Sequence, residues 1–319
     1  MYRIGIDLGG TNIAIGIVNE NFEIVKQGSV PTNAGRPGEE LVADMAALCK
    51  KLIAEQGLTE ADVASLGIAA PGIIDDEVGS VIYANNLNMR HFPIIPLLRE
   101  HLAIQEMHIE NDANAAAWGE AIAGAAKGSK SSVMITLGTG VGGGIVDSGK
   151  VFKGFNSAAG ELGHIVIEVN GRPCTCGRKG CWETYSSATG LINMTKEKLA
   201  ECEAAGRATK MTDLVAERGK VNGRTAFDAM RMGDAAATEV VDMYIEYLGS
   251  GLASMVNIFQ PEVLSIGGGI SNEGQYLLDR VTPLVRAQQY GSGMVAMTDI
   301  RIAQLRNDAG IIGAAVLGM

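Results

Sequence analysis

The sequence predicts an α/β protein of two domains. Its 319 residues are about twice the length of an average domain. Strand-like and helix-like segments alternate along the chain, which is typical of α/β architectures. A strand, a glycine turn and a second strand occur in that order twice, at residues 3–18 and 132–147. This repetition indicates an internal duplication with one such hairpin in each domain.

The composition limits the class of protein. Hydrophobic residues make up 47% of the chain and charged residues 19%, as in globular rather than disordered proteins. A net charge of −10 argues against a nucleic-acid partner. No apolar run reaches about 18 residues, and the first residues lack the pattern of a signal peptide. We therefore expect a cytoplasmic protein with reduced cysteines and with neither a nucleic-acid nor a membrane partner.

Strands are predicted from short apolar runs that end at Gly, Pro or Asn, and helices from longer runs with helical spacing. The predicted strands are 3–8, 13–18, 23–30, 63–69, 106–110, 132–137, 145–147, 262–266 and 301–305, with a short hairpin near 75–80. The predicted helices are 39–56, 113–126, 194–205, 212–218, 225–232, 235–259 and 308–317.

The turn at residues 7–12 has the sequence DLGGTN. Successive backbone N–H groups in a glycine turn form a nest that binds phosphate oxygens. Thr11 adds a hydroxyl group, and Asp7 can orient hydrated magnesium. An ordinary β-hairpin is the alternative, because this pattern alone is weak.

Glycines cluster at three further places. Residues 138–144, GTGVGGG, repeat the logic of the first turn, with Thr139 supplying the hydroxyl group. Gly72 follows Pro71 and lets the backbone approach a ligand closely. Residues 267–269 are three glycines that end a predicted strand. We expect each of these turns to lie against a phosphate or another ligand.

Asn111 and Asp112 stand between a predicted strand and an alanine-rich helix. Either residue can serve as an ordinary N-cap. A carboxylate at a helix N-terminus also stays ionised, as a catalytic base must. Both interpretations remain open on these two residues alone.

Residues 161–183, ELGHIVIEVNGRPCTCGRKGCWE, hold three of the five cysteines. His164, Cys174, Cys176 and Cys181 form a His-x9-Cys-x-Cys-x4-Cys pattern. Three thiolates and one imidazole complete a tetrahedral zinc site of the structural kind. Disulfides and ordinary buried thiols are the alternatives, and the clustering with a histidine favours zinc.

The same stretch resembles the signature of the ROK family, which comprises repressors and sugar kinases. The family's ExGH motif is present at residues 161–164, and its CxCGxxGCxE motif at residues 174–183. The two glycine-threonine turns resemble the phosphate loops of the sugar kinase and actin superfamily. The resemblance extends over essentially the whole chain.

This resemblance implies a two-domain α/β fold of the ribonuclease H-like, actin type, the ASKHA sugar kinase fold, with a structural zinc loop. Residues 1–115 and the final helix at 306–319 would form the N-terminal domain. Residues 116–305 would form a larger C-terminal domain that carries the zinc loop. Ligands would bind in the cleft between the domains, and a homo-oligomer, either a dimer or a tetramer, is expected.

The resemblance also implies an ATP:hexose 6-phosphotransferase, with glucose as the expected acceptor and Asp112 as the catalytic base. The sugar would contact Gly72, Asn111, Asp112, Glu161, His164 and Glu183. ATP and magnesium would contact Asp7, Gly9, Gly10, Thr11, Asn12, Gly138, Thr139, Gly140, Gly268 and Gly269. Zinc would be bound by His164, Cys174, Cys176 and Cys181.

Several alternatives stay open within this family. Asn88 and Met89 stand where the family's glucose kinases usually carry Gly-Trp, so mannose, fructose, allose, N-acetylmannosamine or N-acetylglucosamine can replace glucose as the expected acceptor. Polyphosphate can replace ATP as donor. A sugar-responsive regulator would carry a helix-turn-helix before the first hairpin, and we expect no such segment because Asp7 lies so near the start. A sugar-sensing regulator of this family that lacks its DNA-binding domain is a further alternative.

Overall fold

The computed structural model describes residues 1–319, and its elements largely follow the predicted order. The strands are β1 (Tyr2–Leu8), β2 (Asn12–Val18), β3 (Ile24–Pro31), β4 (Val63–Ala70), β5 (Ile73–Asp75), β6 (Ser80–Ala84), β7 (Met89–Phe92), β8 (Glu106–Asn111), β9 (Ser131–Leu137), β10 (Val141–Asp147), β11 (Lys150–Val151), β12 (Val263–Gly267) and β13 (Asp299–Ile302). The helices are α1 (Gly38–Glu55), α2 (Ile94–Arg99), α3 (Asp112–Ala123), α4 (Glu183–Ser186), α5 (Ala188–Ala204), α6 (Lys210–Arg218), α7 (Thr225–Arg231), α8 (Ala235–Phe259), α9 (Gln275–Gln288) and α10 (Ala309–Ala315).

The chain divides into two units. The first comprises Met1–Met134, Gly144–Gly160 and Ala303–Met319, and the second comprises Ile135–Gly143 and Glu161–Ile302. The first unit therefore includes α3, beyond the predicted boundary at residue 115. The reason is its packing on the closing helix, where the indole Nε1 of Trp118 donates to the carbonyl oxygen of Val316 at 3.0 Å.

The first unit is built on a five-stranded sheet in the order β3-β2-β1-β4-β8. Helix α1 covers one face, where the side chains of Ile13 and Met45 are fully buried. Helix α10 packs on β1 and β4. A Cβ atom at Gly5 or at Gly67 would collide with the backbone of this helix, so glycine permits the close approach.

The parallel strands β1, β4 and β8 end at the same edge of this sheet. Asp7 pairs with Ala69, and Ala70 pairs with Asn111. Ligand sites of open α/β sheets lie beyond such carboxyl ends. The edge therefore places the predicted residues Asp7, Gly72 and Asn111 side by side.

A second five-stranded sheet has the order β11-β10-β9-β12-β13. In the second unit, the long helix α8 anchors the segment that follows the cysteine cluster. The fully buried indole of Trp182 donates to the carbonyl oxygen of Tyr247 at 3.1 Å. The hydroxyl group of Tyr244 donates to the carbonyl oxygen of Ser186 at 2.7 Å. These contacts fix α4 on the core of the unit.

Some predicted elements were wrong. The predicted turn at 138–144 is shorter, because residues 142–144 belong to strand β10. A Cβ atom at Gly143 would lie 2.6 Å from the side chain of Leu162, and one at Gly144 would lie 2.5 Å from that of Ala117. Glycine at these two positions therefore permits close packing.

Two further differences concern the C-terminal third. Helix α9 is not predicted, since Pro283 in its interior weakens the helical pattern. Strand β13 begins and ends earlier than the predicted strand at 301–305. No helix of the structure combines the length and the apolar character that a membrane crossing requires.

Candidate active site

Two carboxylates lie together at the edge of the first sheet. Burial of Asp7, and then the negative charge of Asp112, raise the pKa of Asp7 to about 6. Gly310 at the start of α10 permits this arrangement, because a Cβ atom there would lie 2.7 Å from Oδ2 of Asp7. A divalent cation would favour the ionised form of Asp7, and carboxylate oxygens are the ligands that magnesium prefers. The donor set therefore fits magnesium.

Asn111 is the N-cap of helix α3. Its Oδ1 accepts from the backbone N–H groups of Ala113 at 3.0 Å and Asn114 at 3.2 Å. Its Nδ2 donates to the carbonyl oxygen of Gly72 at 3.0 Å, so the cap also ties two strand ends together. Asp112 is the first helical residue, and its Oδ1 accepts from the N–H of Ala113 at 2.8 Å. Capping therefore explains Asn111, and Asp112 follows it as the first residue of the helix.

Gly72 is required by the geometry of its turn. Its φ angle of +94° lies in the left-handed region, which favours glycine. A Cβ atom would also collide with the carbonyl oxygen of Tyr83. The backbone conformation and the lack of space for a Cβ atom therefore explain why glycine occupies position 72.

Thr32 supports the first glycine turn through two hydrogen bonds. The Oγ1 of this fully buried threonine donates to the carbonyl oxygen of Gly9 at 2.6 Å. Its backbone N–H donates to the carbonyl oxygen of Thr11 at 2.8 Å. Gly10, Thr11 and Asn12 remain exposed at the tip. Sequence reasoning missed Thr32 because it belongs to the end of a different strand.

The second glycine turn is anchored to the start of α5. The carbonyl oxygen of Gly138 accepts from the N–H of Ala188 at 2.9 Å, and that of Thr139 accepts from Oγ1 of Thr189 at 2.7 Å. Thr139 and Gly140 also border a cavity of 710 Å³. The turn is therefore rigidly supported and has open space beside it.

Glu183 connects this turn to the cysteine cluster. Its Oε2 accepts from the backbone N–H of Val141 at 3.0 Å. Its Oε1 lies 3.8 Å from the sulfur of Cys174. A Cβ atom at Gly140 would collide with the Glu183 carboxylate, which explains the glycine at that position. The carboxylate is thus a fixed part of the site.

The four predicted zinc ligands converge. His164, Cys174, Cys176 and Cys181 each offer one ligand atom, and these atoms lie within 4.8 Å of one another. Nδ1 of His164 is 3.7 Å from the sulfur of Cys174, and the sulfurs of Cys176 and Cys181 are 3.6 Å apart. With zinc–sulfur bonds of about 2.3 Å, the edges of a tetrahedron are about 3.8 Å long. The cluster can therefore hold a tetrahedral metal ion.

Arg178 supports this cluster, although sequence reasoning did not single it out. Its guanidinium donates to the carbonyl oxygen of His164. Its backbone N–H bonds to the sulfur of Cys176, which lowers the pKa of that thiol to about 6. The thiolate is the form that binds metals.

His164 presents its second ring nitrogen away from the sulfurs. Nε2 lies 4.0 Å from Oε2 of Glu161, while Nδ1 faces Cys174. A histidine whose one nitrogen binds metal commonly hydrogen-bonds through the other. Glu161 and the free face of His164 therefore form one polar patch in the second unit.

The third glycine turn lies against strand β9. Gly268 has a φ angle of +81°, and a Cβ atom there would lie 2.6 Å from the backbone of Leu137. A side chain at Gly268 would therefore strike the sheet. Gly269 has open space at its Cβ position and lines a cavity of 510 Å³, together with Gly223, Arg224 and Ile270.

The predicted site residues therefore fall into two groups. The first unit contains Asp7, Gly9, Gly10, Thr11, Asn12, Gly72, Asn111 and Asp112. The second unit contains Gly138, Thr139, Gly140, Glu161, His164, Cys174, Cys176, Cys181, Glu183, Gly268 and Gly269. Within each unit, the contacts described above join most of these residues into a continuous cluster.

Glycine-turn hairpins on two sheets, a carboxylate at a helix start and a Cys₃His cluster define an actin-type α/β protein with a loop that could hold a metal ion. The chain belongs to the ROK family, whose family model matches residues 3–319. The predicted family and fold class are confirmed.

Curated relatives and solved structures match the chain over nearly its full length. The glucokinase of Halalkalibacterium halodurans is 38% identical, over 99% of this chain and 94% of its own. The glucokinase of Streptomyces coelicolor is 34% identical, over 98% of this chain and 96% of its own. The crystal structure of a ROK family glucokinase from Streptomyces griseus, in complex with glucose and AMPPNP, has a TM-score of 0.80 and 33% identity, with 99% of both chains covered.

Proposed function

We propose that this protein is a glucokinase, which transfers the γ-phosphoryl group of ATP to the 6-hydroxyl of glucose. The observation that carries the proposal is the 38% identity, over 99% of this chain, to a curated glucokinase. The glucokinase complex with glucose and AMPPNP supports both the acceptor and the donor.

Asp112 acts as the base that orients the 6-hydroxyl and accepts its proton. Phosphoryl transfer has a loose transition state, so positioning and charge neutralisation account for most of the catalysis. The side-chain amide of Asn111, which donates a hydrogen bond to the carbonyl oxygen of Gly72, holds the sugar beside the Asp112 carboxylate. The turn at Gly72 also holds the sugar. Asp7, which lies near Asp112, would hold hydrated magnesium, and the ion would supply positive charge that neutralises the phosphates.

The Cys₃His cluster holds a structural zinc ion, since no ligand position remains open for chemistry. Its task is to fix the loop that carries His164 and Glu183. Nε2 of His164 and the carboxylates of Glu161 and Glu183 then bind sugar hydroxyl groups.

The phosphates and the adenosine of the nucleotide bind at separate places. The turns at Gly9, Gly10, Thr11 and Asn12 and at Gly138, Thr139 and Gly140 contact phosphates. Adenosine binds in the cavity of 510 Å³ that Gly269 lines, and Gly268 directly precedes this residue in the turn.

We further propose a cytoplasmic homo-oligomer. Cysteines that bind zinc must stay reduced, and reduced thiols are typical of the cytosol. ROK domains also occur in sugar-responsive repressors, and a protein of that kind would bind sugar without turnover.

A coupled assay across a panel of hexoses tests this function. With ATP and magnesium, we expect kcat/KM to be highest for glucose among glucose, mannose, fructose, allose, N-acetylmannosamine and N-acetylglucosamine. Asn88 is exposed, whereas Met89 is buried in the core, so only Asn88 can affect sugar choice directly. A higher kcat/KM for another sugar, or turnover with polyphosphate alone, would contradict the proposed substrate or donor.

Replacement of Gly269 with Val tests the adenosine site. The valine would project into the cavity without striking protein atoms, because nothing lies within 4 Å of its Cβ position. We expect the ATP KM to rise by about tenfold or more, which corresponds to about 1.4 kcal/mol of lost binding, while the glucose KM stays nearly constant.

The matched control is Gly233→Val. This glycine also has open space at its Cβ position, but it lies in the connection between α7 and α8. Its φ angle of +82° adds local strain, so melting temperatures are compared for both variants. Equal increases of the two Michaelis constants in Gly269→Val would argue against an adenosine contact.

A further inference from the structure

We propose that Lys153 is a positioning residue that holds Asn111 and Asp112 in the orientation needed for phosphoryl transfer, through the buried carboxylate of Glu110. This inference rests on the proposed function, because it takes Asp112 as the base. All the residues concerned lie in the first unit.

Glu110 is buried directly before the candidate catalytic residues. Only 4% of it is exposed, at the end of strand β8. Its Oε1 accepts from the backbone N–H of Asn111 at 2.9 Å and from Nδ2 of Asn114 at 3.2 Å. Its Oε2 lies 2.7 Å from Nζ of Lys153. Both oxygens of this carboxylate therefore have polar partners, and Oε1 is hydrogen-bonded to the start of α3.

Lys153 also joins a second segment to the same point. Its Nζ lies 2.7 Å from Oδ2 of Asp76, which directly follows strand β5. That strand begins just after Gly72, whose carbonyl oxygen accepts from Asn111. Lys153 thus closes a ring of polar contacts around the residues proposed to hold the sugar.

The ammonium group of Lys153 stays charged. Partial burial opposes the charged form of Lys153, but hydrogen bonds from its ammonium group to Asp76 and Glu110 raise its pKa above the ordinary value. A buried ion pair contributes little net stability compared with apolar packing. Fold stability alone therefore gives a weak reason for this pair, whereas its contact with Asn111 gives a specific one.

Loss of Lys153 would leave the carboxylate of Glu110 buried without a cation. Such a group rotates towards water or takes up a proton, and either change weakens its bonds to Asn111 and Asn114. The first turn of α3 would then shift. A displacement of about 1 Å can lower turnover by about 100-fold.

The test compares Lys153→Met, Lys153→Arg and a control, Lys150→Met, in the full-length protein. Lys150 lines the same cavity of 290 Å³ and is exposed. We expect Lys153→Met to lower kcat by about 10- to 100-fold with the ATP KM changed less than about twofold. Lys153→Arg retains the positive charge and should keep most of the turnover, and Lys150→Met should match the wild type.

A double variant separates positioning from general damage. Glu110→Gln combined with Lys153→Met removes both charges, so it should recover part of the turnover that Lys153→Met loses. If Lys153→Met has the same kcat as the wild type, or if the double variant turns over no faster than Lys153→Met, the positioning role is wrong.

Amide hydrogen exchange gives a readout that needs no activity. We expect faster exchange at residues 111–115 in Lys153→Met than in Lys150→Met, with unchanged exchange in strand β1. A wild type without glucose kinase activity would overturn the proposed function. Equal exchange at residues 111–115 in the two variants would overturn the link between Lys153 and the helix start, whatever the reaction is.

Discussion

Replacement of Asp112 with Asn is expected to lower kcat by about 100- to 10,000-fold, the usual contribution of a general base. The amide has the same shape as the carboxylate, and its oxygen can still accept the N–H of Ala113 that now bonds to Oδ1 at 2.8 Å. The start of α3 should therefore stay folded. Because only the base is lost, glucose affinity measured by calorimetry should change little.

The control for this variant is Asp213→Asn. Asp213 is an exposed aspartate in the first turn of α6, so it tests the same change at a comparable helical position away from the site. It should leave kcat unchanged. Near wild-type turnover in Asp112→Asn would remove the base assignment, and simultaneous loss of glucose binding would mean that Asp112 mainly anchors the sugar.

Replacement of Cys176 with Ser is expected to remove the metal and the sugar site together. Wild-type protein purified without added metal should contain about one zinc ion per chain, because the ligand set is complete. The serine hydroxyl is a poor replacement for a thiolate, so the zinc content should fall to a small fraction. Glucose affinity should fall by about tenfold or more, as is usual when the support of a ligating residue is lost.

The coupling follows from the position of His164, which faces Cys174 through Nδ1 and Glu161 through Nε2. Cys202→Ala serves as the control, since Cys202 is buried in α5 outside the cluster. Removal of zinc by a chelator, followed by its return, should reproduce and then reverse the loss in the wild type. Loss of zinc with unchanged glucose affinity would show that metal and sugar sites are independent.

The sequence predicts best those parts of the site whose residues lie close together along the chain. The four proposed metal ligands lie close together in the chain, so their identity and separation almost define the cluster. The ends of strands β1 and β8 are also predictable, because these segments end close to the polar residues Asp7 and Asn111. Helix α8 has the same bounds in sequence and structure, since apolar residues recur on several of its faces along its whole length.

Contacts between distant segments could not be predicted in this way. Lys153 and Glu110 look like ordinary surface charges until folding brings their side chains to 2.7 Å. Gly144 looks like part of a phosphate turn until Ala117 packs against it. In each case, the partner residue belongs to another element that is distant in the sequence. No local sequence pattern therefore predicts the contact.

The central claim is transfer of a phosphoryl group to the 6-hydroxyl of glucose. Phosphorus NMR of a mixture of the protein, ATP, magnesium and glucose measures this directly. We predict that glucose 6-phosphate and ADP appear in equal amounts and that inorganic phosphate does not accumulate. ADP with inorganic phosphate alone, a phosphate at another hydroxyl, or intact ATP after prolonged incubation would contradict the account.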